Sequence, residues 1–540
     1  MRPGPRRGPL VAAGVTAAGA AAALTVGLWP AGTSAPENRP AAGKTAAAPS
    51  PKESPSPKES PRPGKSHALS EAPATIPAVR EHEAARGPGW RPGGEGRVVT
   101  GDDGLKDEAR LLAGELRLRY AGDEKPREGD VELALDKDAD SGPESYTLSV
   151  KERKVRITAP DEAGVFYGTR TLKQEVKGER TAPEGVVRDR PAKPQRGFMI
   201  DIARKHFDAS WIEDRIRELG DLKYNQLGLH FSDDQAFRIA SDSHPEIVSA
   251  DHLTKDQVRR ILKLAESRHI TVVPEIDSPG HLGAVIRAHP SLQLRSAQGG
   301  APKGAVDIAK PEAARIVDDL LKEYGKLFPG AYWHLGADEY LALTVKDPEA
   351  SFPQLAAAAR EKYGPDARVR DLTTGWLNDR ADAVRPLGKK LKAWNDGFFR
   401  GGETRAADDL EVAYWTGKEI GARDPVEYLR AGRELTNYND EYLYYVLGQP
   451  NDFRYPTGQR IYESWTPRVI RGTSPVSEEY DDQILGGSFA VWCDLAGSQT
   501  QEQVAQGIRM PLAATVQKLW DPRKPALSWN DFAKLADTVR

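Results

Sequence analysis

The chain has almost no cysteine: Cys493 is the one such residue among 540. An internal disulfide is excluded, and so is a cysteine-rich zinc site. Cys493 also lies too far along to carry an N-terminal lipid anchor. Stability must therefore come from a large apolar core. An excess of one charge is missing too. There are 76 lysines and arginines against 79 aspartates and glutamates, a formal net charge of -3, and no basic block in the body of the chain. The electrostatic footprint of a nucleic-acid binder is absent. Near-neutrality does not weigh against an uncharged ligand. No HExxH-like spacing occurs, so a metal-dependent hydrolase lacks its usual signature.

What remains is an ordinary soluble composition, 39% hydrophobic and 29% charged, long enough for more than one domain. Residues 1–35 read as an export signal. Arg2, Arg6 and Arg7 form a basic start, an apolar run extends from Leu10 to Trp29, and small residues around Thr33 and Ala35 suit cleavage. The Arg6–Arg7 pair is compatible with a twin-arginine signal. The competing reading is an uncleaved membrane anchor, for which the Ala and Gly content is poor. Residues 36–88 read as a Pro/Ser/Lys-rich linker, with SPKESPSPKESPRP from Ser50 to Pro63. Such a composition builds no core and stays extended. A secreted or surface-tethered protein is expected.

Residues 89–191 predict a small α+β domain. Strands are expected over Val131–Leu135, Tyr146–Val150 and Lys154–Thr158, and helices over Leu105–Tyr120 and Gly164–Val176. From 192 to 525, short apolar runs alternate with amphipathic helices. The runs are Phe198–Ile202, Gln226–Phe231, Thr271–Ile276, Ala331–Leu335, Lys392–Trp394, Glu411–Tyr414, Glu434–Asn437 and Gly486–Val491. Eight such units predict a TIM barrel, an α/β fold with catalytic groups just after the strands. Residues 526–540 read as a C-terminal tail.

Polar and aromatic groups do cluster after those runs. Asp233 follows the second, Asp277 and His281 the third, Asp338 and Glu339 the fourth, Trp394 the fifth, Trp415 the sixth, Asn437 to Tyr445 the seventh and Trp492 and Asp494 the eighth. One strand-end aspartate is more often a loop cap than a functional group. Six or more such ends together reverse that preference. Indoles stack on the apolar faces of sugar rings while carboxylates accept hydroxyl hydrogen bonds, so the mixture points to a carbohydrate ligand. The competing reading is a metal site drawn from His230, Asp233, Asp277, His281, His334 and Asp338.

The segments RGFMIDIARKHF (Arg196–Phe207), LGLHFSDDQAFRI (Leu227–Ile239), VVPEIDSPGH (Val272–His281) and HLGADE (His334–Glu339) resemble, in order, the motif set of glycoside hydrolase family 20. SYTLSV (Ser145–Val150) and AGVFYGTRTLKQ (Ala163–Gln174) resemble the small domain preceding the barrel in that family. The resemblance implies an exo-acting β-N-acetylhexosaminidase with neither metal nor other cofactor. Its partner is a glycan ending in β-linked N-acetylhexosamine. It implies a retaining mechanism in which the substrate's own acetamido oxygen is the nucleophile. Glu339 then corresponds to the general acid/base, Asp338 to the group that holds the acetamido N–H, and Tyr442 to the tyrosine on the acetamido oxygen. Trp376, Trp394 and Trp492 correspond to the aromatic box, Arg196 and Asp233 to groups gripping hydroxyls, and Asp277 and His281 to a dyad beside the acid. Mutual repulsion of Asp338 and Glu339 is expected to keep one of them protonated near neutral pH.

Three departures stand out. Tyr442-Leu443-Tyr444 replaces Tyr-Leu-Asp, Trp492-Cys493-Asp494 replaces Trp-x-Glu, and Gly336-Ala337 replaces a double glycine. The first two resemble a branch that includes lacto-N-biosidases, which release Gal-β-1,3-GlcNAc. A glycan-binding protein without turnover is the alternative from another class. Oligomeric state is not legible.

Overall fold

The computed structural model describes residues 67–138, 141–177, 180–418, 422–449 and 454–539. The expected export signal and residues 36–66 of the expected linker lie outside them. Among the described residues, no helix is long and apolar enough to cross a membrane.

A seven-stranded sheet forms the first domain: β1 (Glu81–Ala84), β2 (Arg97–Val99), β3 (Arg119–Tyr120), β4 (Val131–Leu135), β5 (Tyr146–Lys151), β6 (Lys154–Ala159) and β7 (Gly185–Asp189). Their spatial order is β1-β7-β5-β6-β4-β2-β3. β5 alternates buried and half-buried residues, as a strand covered mainly on one face does. The helix Glu162–Glu175 starts at Asp161, whose side chain accepts from the Gly164 N–H at 2.7 Å. It is buried nearly all round, because one face meets the sheet and the other the barrel. Tyr167 packs edge-on against Trp520, with ring centroids 5.7 Å apart.

The start of this domain corrects the linker boundary. Residues 67–88 were expected to contribute nothing to a core. Instead β1 pairs antiparallel with β7, and Ile76 is buried beside the barrel, its backbone N–H donating to Gln174 at 2.8 Å. The Pro- and Ala-rich composition hides this, because pairing and docking are tertiary.

Eight parallel strands close the barrel: β8 (Gln195–Asp201), β9 (Gln226–His230), β10 (Thr271–Glu275), β11 (Tyr332–His334), β12 (Lys390–Trp394), β13 (Leu410–Tyr414), β14 (Leu435–Asn437) and β16 (Ile484–Trp492), with β16 returning to β8. All eight expected strands are present. An additional strand, β15 (Tyr444–Val446), was not expected. β14 is only three residues long, so it covers the first half of β16, at 484–487. The chain turns through a short helix, Asp440–Leu443, and re-enters as β15 beside 490–492 of β16. That handover decides which tyrosine faces the cleft. Outside the barrel, the helix Pro311–Leu327 buries Ile316, Val317, Leu320 and Tyr324, the periodic face read from the sequence. The expected tail is also structured: the helix Trp529–Thr538 buries Phe532 against Tyr462, with ring centroids 4.3 Å apart.

Candidate active site

The C-terminal ends of the barrel strands surround a cavity of about 340 Å³. It is lined by Arg204, Asp338, Glu339, Trp415, Thr416, Lys418, Asp440, Tyr444, Val446, Trp492 and Asp494. Arg204 follows β8. Asp201, at the strand's end, accepts from the backbone N–H groups of Ala203, Arg204 and Cys493 and pairs with the Arg204 guanidinium at 3.0 Å. Arg204 is thereby fixed over the Trp492 ring and bridges to Asp233 at 2.8 Å.

Behind this layer, His230 joins two carboxylates: Nε2 lies 2.9 Å from Asp233 and Nδ1 3.1 Å from Glu275. Burial opposes its charge, but Glu275 and Asp233 raise it to about 10. Burial disfavours the Glu275 carboxylate too, yet His334 and His230 hold it down at about 2. The Trp394 indole donates to Glu275 at 2.7 Å, which fixes that ring in the barrel's centre.

His281 is the hub. Nδ1 lies 3.3 Å from Asp233. Nε2 lies 3.5 Å from Glu339, 3.7 Å from Asp338 and 3.9 Å from Asp277. Burial works against the cation, yet Asp233 and Asp338 push its pKa well above the ordinary value. Asp277, His281 and Asp338 have ligand atoms close enough together for a metal.

The loop after β11 places the two adjacent carboxylates. Gly336, Ala337 and Glu339 all have positive φ, at 66°, 81° and 45°. At Gly336 a Cβ would overlap the Asp277 carboxylate, so only glycine fits. Ala337 occupies a left-handed position that costs a non-glycine residue about 1–2 kcal/mol. Its N–H donates to Asp277 at 2.7 Å, which helps hold it there. Asp396, after β12, accepts from the Glu339 N–H at 2.9 Å and from the Trp415 indole at 3.0 Å. Both side chains reach His281 Nε2, but they differ in exposure. Asp338 is 14% exposed and points inward, while Glu339 is 43% exposed at the mouth.

Burial, then the Asp277 charge, raises Asp338 well above the usual carboxylate range. Burial raises Asp277 to about 7. The hydrogen bond from His281 lowers Glu339. In the ligand-free site, then, the shared proton sits on the Asp277–Asp338 pair and Glu339 is the ionised member. The expected repulsion between neighbours is present, but burial and Asp277, which act on Asp338, decide which neighbour keeps the proton.

The structure brings Asp233, Asp277, His281, Asp338, Glu339, Trp394, Trp492 and Asp494 together. It separates three others. Arg196 begins β8 at the opposite end of the barrel. There its buried guanidinium bonds Glu144 at 2.9 and 3.0 Å, the Lys193 and Lys223 carbonyls and the Tyr167 hydroxyl. It fastens the first domain and cannot reach the cleft. Arg204, eight residues on in the same segment, occupies the cleft instead, and its position just after a strand was the signal. Trp376 lies in the helix Val369–Val384 and donates to Ser278 Oγ at 3.0 Å. It braces the loop carrying Asp277 without lining the cavity.

Tyr442 lies in the turn helix, buried under the Arg460 guanidinium at 4.1 Å. Because strand side chains alternate, Tyr444 and Val446 of β15 face the cavity while Tyr445 points away, stacked on Tyr455. Tyr444 lies parallel to Trp415, with ring centroids 5.8 Å apart.

A closed β/α barrel whose strand ends hold paired carboxylates among indoles defines a sugar-processing hydrolase. A model described as the glycosyl hydrolase family 20 catalytic domain matches residues 194–522, and that family's domain 2 matches 72–190. The chain belongs to glycosyl hydrolase family 20. It is 28% identical over 481 residues to a lacto-N-biosidase of Bifidobacterium bifidum, covering 86% of this chain and 41% of that one. It is 27% identical to a β-N-acetylhexosaminidase of Cellulomonas fimi, covering 78% and 83%. The chain spans less than half of the Bifidobacterium relative and 45% of a Porphyromonas gingivalis β-hexosaminidase. In fold it resembles a Vibrio harveyi exo-β-N-acetylglucosaminidase solved with N-acetylglucosamine, with a TM-score of 0.72 at 22% identity over 90% of this chain and 79% of that one.

Proposed function

We propose that the protein is an exo-acting β-N-acetylhexosaminidase that retains anomeric configuration and uses the substrate's acetamido group as nucleophile. The observation that carries this reading is the different setting of Asp338 and Glu339. One carboxyl lies inside an aromatic-walled cavity and its neighbour stands at the mouth. Glu339 protonates the departing oxygen and later activates water. Asp338 receives the acetamido N–H and offsets the charge of the oxazolinium-like intermediate. Tyr444, not Tyr442, donates to the acetamido oxygen. Arg204 and Asp494 grip hydroxyls, and Trp492 stacks on the ring.

Substrate binding has to move a proton. An acetamido N–H on Asp338 favours its carboxylate, and a sugar covering the mouth desolvates Glu339 and favours its acid form. His281 Nε2 stands between the two and is the relay.

A second reading, release of the disaccharide Gal-β-1,3-GlcNAc, is favoured by Val446. It presents an apolar surface to the cavity, which also takes in Thr416 and Lys418. Export and tethering through residues 1–66 are also proposed, on the basic start, the apolar run and the Pro-rich stretch.

The test is Glu339→Gln assayed on aryl N-acetylglucosaminide, N-acetylgalactosaminide and lacto-N-bioside. Activity of the wild type on the first two supports single-sugar release, and activity confined to the third supports the disaccharide. Loss of about 100- to 10,000-fold in the variant on a poor leaving group supports Glu339 as the acid. Retention of more than about a tenth of wild-type kcat excludes it.

A further inference from the structure

Outside the catalytic cavity, four side chains converge in a metal-like arrangement. His244 and Glu246 lie at the short 3-10 turn Pro245–Ile247 in the connection after β9. His289 follows the helix Gly283–Ala288 in the connection after β10. Asp319 reaches over from the helix Pro311–Leu327. His244 Nδ1 and His289 Nε2 each lie 3.0 Å from the same oxygen, Oε1 of Glu246. The imidazole rings are 6.5 Å apart and nearly perpendicular. One ligand atom from each of the three residues lies within 4.8 Å of the other two.

His244 Nδ1 and His289 Nε2 both face Glu246, so the second nitrogen of His244, Nε2, points away from it. That atom is shielded from water, has no hydrogen-bond partner and faces Asp319 Oδ2 at 3.6 Å. An ion on Nδ1 leaves the imidazole N–H on Nε2, facing Asp319. A carboxylate that orients an imidazole from behind is the usual companion of a metal-bound histidine.

We propose that His244, Glu246 and His289 bind a divalent transition-metal ion of the zinc class, with Asp319 orienting His244. Two imidazoles and a carboxylate suit zinc, nickel or cobalt, whereas calcium and magnesium require all-oxygen shells. None of the four residues lines the catalytic cavity. The ion braces two connections against each other. The β9 connection carries Asp233 and the β10 connection carries His281, so the brace supports the Asp233–His281 contact at its base.

The experiment titrates zinc chloride into the chelator-treated full chain by calorimetry, alongside His289→Ala and Asp319→Asn, and repeats thermal melts at each zinc concentration. The wild type is expected to bind one ion per chain at this site and to melt higher as zinc rises. His289→Ala should weaken that binding at least about 10-fold, and Asp319→Asn, which preserves shape, about 10- to 100-fold. Equal zinc binding by all three proteins would put the ion elsewhere, for instance on Asp277, His281 and Asp338. No binding to the wild type at millimolar zinc would leave a hydrogen-bonded trio only. Either result overturns the proposal. Asp319→Asn keeps the test valid if His289→Ala misfolds.

Discussion

Tyr442 and Tyr444 stand two residues apart, yet only one reaches the cavity. Tyr442 closes a helical turn beneath Arg460, and Tyr444 begins the strand that faces Trp492 and Trp415. A hydroxyl aimed at the acetamido oxygen belongs to the class of preorganised donors whose removal costs about 100- to 1,000-fold in kcat. Tyr444→Phe should lose activity on that scale with little change in melting temperature. Tyr442→Phe should stay within a few-fold of wild type. The reverse ranking, read from kcat on the aryl N-acetylglucosaminide, would return the role to Tyr442. The ambiguity has a plain origin in the sequence. Tyr442, Tyr444 and Tyr445 crowd one stretch, and a motif cannot say where a helix hands over to a strand. Arg196 and Arg204 pose the same problem within one segment. There barrel geometry, which assigns chemistry to the end of a strand and not its start, would have chosen Arg204.

At the scale of elements, the eight barrel strands were legible because each is an apolar run ending in a polar or aromatic cluster. β15 was not legible, since three residues after a four-residue helix carry no period of their own. The first strand of the sheet was hidden for a different reason. Residues 67–88 have a linker's composition, and their order depends on β7 and on the barrel surface. Deleting residues 1–66 should therefore leave the melting temperature and activity unchanged, while deleting 1–85 should not. The longer deletion removes β1 and the buried Ile76. Full burial of such a side chain is worth about 1.5–3 kcal/mol, and each kcal/mol moves the melting point by about 1 °C in a chain of this size. A drop of at least about 2 °C is expected for the longer deletion. Equal melting points for the two truncations would restore the original linker boundary.

At the scale of the whole molecule, the first domain and the barrel meet across buried ionisable groups. Arg196 bonds Glu144. Lys223 donates to Tyr146 and Thr171 at 2.9 and 2.7 Å. Glu175 sits among them with no hydrogen bond to either carboxyl oxygen. Burial raises it to about 8, with Lys223 and Arg180 pulling the other way. Because the folded value lies above the unfolded one, near 4.3, its contribution is fully present below about pH 4 and is lost as pH rises to about 8. Glu175→Gln removes that dependence. The variant's melting temperature should gain on the wild type from about pH 5 to about pH 8, then level off. A difference that is constant with pH would mean that Glu175 does not hold a proton in the folded protein.

On the proposed mechanism the protein supplies no nucleophile of its own: Asp338, which points inward, receives the acetamido N–H, and Glu339 serves as acid and base. The most direct measurement compares kcat/KM for an aryl β-N-acetylglucosaminide with that for the matching aryl β-glucoside, under identical conditions. The 2-hydroxyl of the glucoside offers no oxygen that can cyclise onto the anomeric carbon. Turnover of the acetamido sugar with the glucoside hardly reacting is the predicted result. Comparable rates on both sugars, or a sugar ester trapped on any aspartate or glutamate, would contradict it.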